Sequence, residues 1–154
     1  MDRQDLIARY RTGYAAVVES LTGITDTELD RRPAPGAWTT REIVHHLADA
    51  ETRSYLRIRE ILTGSPALVQ AYDQDEWVAT LPTYRLPIAA SLVTLQAVRA
   101  STEQLIDSMT QADWGRSSTH SESGAFSADT WLEWYAVHPH EHAAQIVRAR
   151  RGEV

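Results

Sequence analysis

Apolar residues recur along this chain at helical spacing in four long stretches. Leu6, Tyr10, Tyr14, Val17, Val18 and Leu21 mark the first, which runs from about Asp2 to Leu21 and meets a stop at Thr22-Gly23. A short turn follows Thr25-Asp26, and Pro33-Ala-Pro-Gly36 then breaks the chain. The second stretch opens at Trp38-Thr-Thr-Arg-Glu-Ile43, where Thr39 is an N-cap, Glu42 completes a capping box and Trp38 staples onto Ile43. Its inner stripe is Ile43, His46, Leu47, Ala50, Ser54, Ile58 and Ile61, with His45 off that face, and it ends at Thr63-Gly64-Ser-Pro66. The third stretch starts near Pro87 and carries Ile88, Leu92, Leu95, Val98, Leu105, Ile106 and Met109. Ser127-Ala-Asp129 opens the fourth, whose stripe is Trp131, Trp134, Tyr135, His138, His142, Ile146 and Ala149.

These stripes predict an all-α fold, a four-helix bundle in a single domain over residues 1–154. Residues 65 to 86, with Pro66 and Pro82 inside and Pro87 just beyond, show no sustained period and read as one long linker. A connection of that length returns the chain along the bundle, so the second and third helices run parallel in up-down-down-up order. No segment carries a strand signal, an internal repeat or a low-complexity tract.

Composition narrows the chemistry. The chain has no cysteine, which excludes disulfides, thiolate nucleophiles and Cys-type zinc sites. No apolar run reaches membrane-span length and Met1-Asp-Arg-Gln-Asp5 lacks a signal-peptide core, so the expectation is a soluble, cytoplasmic protein without a membrane partner. A net charge of −6 argues against nucleic acid as a partner. The basic run Arg148-Ala-Arg-Arg151 complements a helix C-terminus instead.

Three histidines then stand out. His138 and His142 lie four apart on one helical face, the spacing by which a helix offers two nitrogens to one transition-metal ion. Position 139 is Pro where a zinc-protease helix has Glu, so the pair is a metal-site candidate and not a protease motif. His46 is the third candidate, because it also lies within an inward-facing stripe and an unpaired core imidazole is costly. Three imidazoles on facing helices leave an open position, the usual catalytic zinc arrangement. The competing reading is three core histidines satisfied by hydrogen bonds. Zinc or nickel are the first expectations, with iron, copper and manganese as alternatives.

Around these ligands, Asp49 is three residues after His46 and Glu141 three after His138, each a carboxylate able to accept from an imidazole or to act as a base. His120, in the Ser/Gly-rich loop 115–124, is a further catalytic candidate at the metal mouth, and solvent exposure is the competing reading for all three. Gln145 sits one turn past His142 to hydrogen-bond a ligand, and Tyr72, Asp73 and Trp77 are pocket-lining candidates from the linker. Pro139 removes the backbone donor to Tyr135, so a kink or a fresh helix start is expected there.

The block Trp38-Thr-Thr-Arg-Glu-Ile-Val-His-His-Leu-Ala-Asp-Ala-Glu51 resembles the first motif of the DinB/YfiT-like superfamily, and His138-x-x-x-His142-x-x-Gln145-Ile146 resembles its second. The likeness runs over nearly the whole chain, with Asp113 to Gly124 similar to the variable loop before the last helix. It implies a four-helix bundle of up-down-down-up order and a divalent metal on His46, His138 and His142. It also implies a small-molecule substrate and a homodimeric habit. Relatives include thiol-dependent transferases and isomerases and proteins described as metal-dependent hydrolases. The expected function is thus a metalloenzyme that activates either a low-molecular-weight thiol cosubstrate or a water against an electrophile. The alternative is a non-catalytic, metal-binding, stress- or damage-associated protein.

Overall fold

The computed structural model describes residues 1–65 and 68–154; Pro66, one of the linker prolines, lies outside the described residues. The chain opens with α1 (Arg3–Ser20), started by the Asp2 carboxylate accepting from the Asp5 amide. A single turn, α2 (Asp26–Leu29), follows with a capping box of Thr25 and Glu28. α3 (Thr40–Thr63) begins on the expected box, Thr39 and Glu42 each taking the other's amide, and stops at Gly64, whose φ of 69° is a left-handed value that favours glycine. Beyond it come β1 (Leu68–Val69), α4 (Gln74–Thr80), a 3-10 turn at Pro82–Arg85, and α5 (Ala89–Ser108). Then α6 (Gln111–Trp114), β2 (Ser117–His120) and β3 (Gly124–Ser127) lead into α7 (Ala128–Arg151), capped by the Ser127 side chain.

Polar contacts fix the direction of each long helix. Arg3 pairs with Asp129 where α1 and α7 begin, and Arg150 donates to the Ser20 carbonyl where both end, so α1 and α7 are parallel. His45 meets Ser91 near the start of α3 and α5, and Arg59 reaches Ser101 further along both, so these two are also parallel. Trp131 bonds Ser54 while His142 lies by His46, which runs α3 against α7. The order is up-down-down-up, as expected. No helix among the described residues is long and apolar enough to cross a membrane.

Two expectations change. The linker is not structureless: the Asp73 carboxylate caps α4, and Tyr84 in the 3-10 turn is buried with its hydroxyl on Asp49. Seven residues are too few for a helical period to register. A small sheet is present in the order β1-β2-β3, with β1 parallel to β2 (Val69 opposite His120) and β2 antiparallel to β3 (His120 opposite Gly124). Its strands of two to four residues are too short for alternation to show. His45 lies off the stripe of His46, as expected, and is itself buried at 5% exposure between Ser91 Oγ at 2.7 Å and the Leu86 carbonyl at 3.0 Å.

The bundle core is divided. One apolar cluster holds Leu6, Tyr10, Ile58, Ile106 and Trp131; the other holds Val17, Leu47, Leu95, Ala143 and Ile146. Between them lies a polar layer built from the middle of every long helix: Gly13, Glu51, Arg99, and His138 with Pro139. Arg99 Nη1 donates to Glu51 Oε2 at 2.8 Å, with side-chain exposures of 1% and 0%. Arg99 also donates to the Tyr10 carbonyl, and its guanidinium lies 3.8 Å from the Tyr10 ring centroid. α7 runs unbroken through Pro139, contrary to the expected fresh start. The Tyr135 carbonyl that Pro139 leaves without a helical donor accepts instead from Arg99 Nη1 at 3.4 Å.

Gly13 makes room for this layer, since a Cβ there would sit 2.8 Å from Arg99 Nη2 and 3.1 Å from Pro139 Cγ. In an open helix Gly→Ala gains about 1 kcal/mol. Here Arg99 is pinned by three partners and cannot retreat, so overpacking, typically about 1–3 kcal/mol, outweighs the helix gain. Gly13→Ala is expected to lower the urea midpoint. An unchanged or raised midpoint would show that the layer is loosely packed.

Candidate metal centre

Just outside the polar layer, His46 from α3 meets His138 and His142 from α7, with one nitrogen from each ring within 4.8 Å of the others. The stripe positions bring them together because α3 and α7 are antiparallel neighbours. The rings stand steeply to one another, 88° between His138 and His142 and 65° between His46 and His142. Trp38 covers them, its ring centroid 4.7 Å from His46 and 6.4 Å from His142. That placement joins the Trp38 staple position to the site. His46 is 1% exposed, whereas His138 and His142 are only partly buried.

Hydrogen bonding fixes where the protons sit. His142 Nδ1 lies 2.7 Å from Gln145 Oε1, an oxygen that only accepts, so Nδ1 carries the hydrogen. His138 Nδ1 lies 3.3 Å from Glu51 Oε1, which likewise only accepts. Both Nε2 atoms therefore present bare lone pairs, and they face each other at 3.1 Å. Two lone pairs at that distance repel unless a proton or a metal ion sits between them, and burial of the His142 ring disfavours the extra proton. The separation is close to the roughly 3.3 Å between two nitrogens on one tetrahedral zinc. His46 Nδ1 is buried with no hydrogen-bond partner. The donor set fits a divalent ion.

Electrostatics point the same way. Burial, followed by the neighbouring His142 and His138, pushes His46 down to about 2. Burial first and His138 next push His142 down to about 4. Neutral imidazoles are what metal ligation requires.

The other candidates disperse. The half-buried Asp49 carboxyl accepts from the Tyr84 hydroxyl at 2.8 Å and is raised above its ordinary range, mainly by burial. It does not join the imidazole cluster, and neither does the exposed Glu141. His120 ends β2, is 5% exposed, and packs on Phe126 and Trp134 away from the cluster. Of the linker residues, Tyr72 packs on Trp77 and Asp73 caps α4. Gln145 hydrogen-bonds His142 instead of only filling space between helices, the first of the two roles it could have taken. Glu51 and Arg99 were missed as supporting residues. The available signal was opposite charges on the inner stripes of two helices, Glu51 between Leu47 and Ser54, Arg99 four residues after Leu95.

Known proteins resemble this chain over most of its length. Residues 9–146 match the DinB superfamily model. A protein of Geobacillus kaustophilus, provisionally named a metal-dependent hydrolase, is 31% identical over 149 residues, 96% of this chain and 84% of that one. One of Oceanobacillus iheyensis with the same provisional name is 33% identical over 123 residues, 80% of this chain and 71% of that one. The solved structure of YfiT from Bacillus subtilis is described as a probable metal-dependent hydrolase with an unusual four-helix bundle topology. It superposes with a TM-score of 0.87 at 26% identity, covering 98% of this chain and 89% of that one.

Protein made without a polyhistidine tag is expected to take up about one equivalent of zinc or nickel, as elemental analysis will show. His142→Ala removes a ligand and should weaken binding by more than the ~10–100-fold typical of losing an outer partner. A metal content far below one equivalent after loading would reduce the cluster to a core polar group.

Proposed function

Because the chain belongs to the DinB superfamily, we propose that it is a divalent-metal-dependent enzyme acting on an electrophilic small molecule, with His46, His138 and His142 holding the ion. The observation that carries the reading is the pair of bare Nε2 atoms facing each other 3.1 Å apart beside His46. No fourth protein ligand completes the group among the described residues. That leaves room for an exogenous molecule and counts against a purely structural, closed metal site. An ion held there supplies Lewis acidity and lowers the pKa of a water or a thiol that reaches it.

The chain's own residues set the conditions for that chemistry. The Glu51 carboxylate holds the proton on His138 Nδ1 and turns Nε2 toward the site. Gln145 does the same for His142. Trp38 packs over one side of the rings, and the partial exposure of His138 and His142 is the route by which a substrate would reach them. Imidazole-only ligation suits zinc or nickel, and also accommodates copper or iron. The names of the relatives support hydrolysis, with water as the nucleophile. A thiol remains the other nucleophile this site accommodates, and with no cysteine in the chain it comes from a cosubstrate.

Zinc- and nickel-loaded protein should be assayed on p-nitrophenyl acetate in water alone, and on 1-chloro-2,4-dinitrobenzene with glutathione or cysteine. Metal-dependent ester cleavage assigns water, and metal-dependent conjugation assigns the thiol. Either rate should fall at least about 100-fold in His142→Ala, ~2.7 kcal/mol of barrier. A rate indifferent to both the metal and that substitution removes the three histidines from the reaction.

A further inference from the structure

A second site lies one helical turn from the imidazole cluster. Arg57, Tyr72, His120, Glu122 and Trp134 line a cavity of about 300 Å³. Trp134 precedes His138 by four residues on α7, and Arg57 donates to the Tyr135 hydroxyl at 2.7 Å. The Tyr135 ring in turn lies 6.0 Å from that of His138.

Buried donors on residues of this cavity lack acceptors, and its one carboxylate, Glu122, is exposed to solvent. His120 Nδ1 accepts from the Glu122 and Ser123 amides, both at 3.3 Å, so the imidazole proton is on Nε2. That Nε2 is buried and has no partner. Burial first, and then the positive charge of Arg57, lowers the pKa of His120, which keeps the ring neutral with this one donor. The Tyr72 hydroxyl is also buried and without a partner.

Arg57 is 7% exposed, yet its guanidinium meets only neutral acceptors, the Tyr135 hydroxyl and the Gln70 carbonyl, and its Nε is unpartnered. Arg53 beside it also donates to the Gln70 carbonyl. The ion pairs among the described residues involve neither Arg53 nor Arg57. Buried donors are normally satisfied, and a buried guanidinium normally has a counter-anion. Here both deficits fall on residues of one cavity.

We propose that this cavity binds the anionic oxygen group, a carboxylate or a phosphoryl oxygen, of a small molecule. His120 Nε2 and the Tyr72 hydroxyl donate to the oxygens, Arg57 supplies the opposite charge, and the 40% exposed Trp134 offers an apolar face to the remainder. A molecule anchored here extends along α7 toward His138, which makes the cavity the anchoring site for a substrate of the metal centre. That last relation rests on the proposed function. The binding itself does not.

Calorimetry on the zinc-loaded protein and on the metal-free protein tests it, with succinate, inorganic phosphate and the neutral succinamide as probes. Saturable binding is expected for succinate or phosphate and not for succinamide; whichever anion binds identifies the carboxylate or the phosphoryl class. Tyr72→Phe and His120→Phe each remove one donor and should weaken binding about 10-fold. Cobalt affinity, read from the visible spectrum, should not change in either variant. Tyr72→Phe should not lower the melting temperature, because the lost hydroxyl has no partner to leave behind.

The proposal is overturned if neither anion binds or if succinamide binds as well. It also falls if Tyr72→Phe destabilises the fold, or if binding needs the metal and ignores both substitutions, which would put the anion on the ion itself. Anion binding in a protein that takes up no metal would keep this site and discard the metal centre. Metal uptake without anion binding would do the reverse.

Discussion

A guanidinium and a carboxylate taken fully out of water need partners there, and for Arg99 and Glu51 that need sets how the four long helices meet, with only the Arg99 Nε left unpaired. Arg99 on α5 reaches the Tyr10 carbonyl on α1, Glu51 on α3 and the Tyr135 carbonyl on α7. A shift of one helix by a single residue would strand one of these charges, and removing one partner of a buried pair typically costs about 3–5 kcal/mol. The two apolar clusters above and below supply the hydrophobic stabilisation. The polar layer between them supplies the register.

The same layer reaches the site. Glu51 uses one oxygen for Arg99 and the other for His138, so the carboxylate that anchors the bundle also fixes the tautomer of a ligand. Pro139 belongs to this arrangement and does not disturb it. Its missing amide frees the Tyr135 carbonyl for Arg99, and its ring packs where Gly13 leaves space. An apolar layer of the same volume would be at least as stable. It would have no means of orienting an imidazole.

Much of this was legible in the sequence, for reasons that differ from element to element. The capping box of Thr39 and Glu42, the stop at Gly64 and the stripe of α7 are local signals, and each appears where expected except for Trp134, which is 40% exposed. The three clustered histidines were legible because a histidine on an apolar stripe is out of place, and three of them converge when α3 and α7 run antiparallel. The partners of Pro139 were not, since Arg99 lies 36 residues away from Tyr135 in the chain and only the bundle order brings them together. The burial of His45 was not legible, because its partners, Ser91 and the Leu86 carbonyl, come from the distant start of α5 and the turn before it. The strands that place His120 are too short for period-two patterning, so that residue read as part of a loop.

The central claim is that the buried ion pair preorganises a metal ligand. The most direct measurement is the cobalt affinity of Glu51→Gln beside that of the wild-type protein, taken from the visible spectrum, with thermal melts confirming that the variant folds. The neutral amide keeps the shape of the carboxylate, loses its charge and weakens its hold on His138 Nδ1. The account predicts about 10–100-fold weaker binding in a folded variant. An unchanged affinity would contradict it, and would leave Arg99 and Glu51 as a pair that positions helices and nothing more.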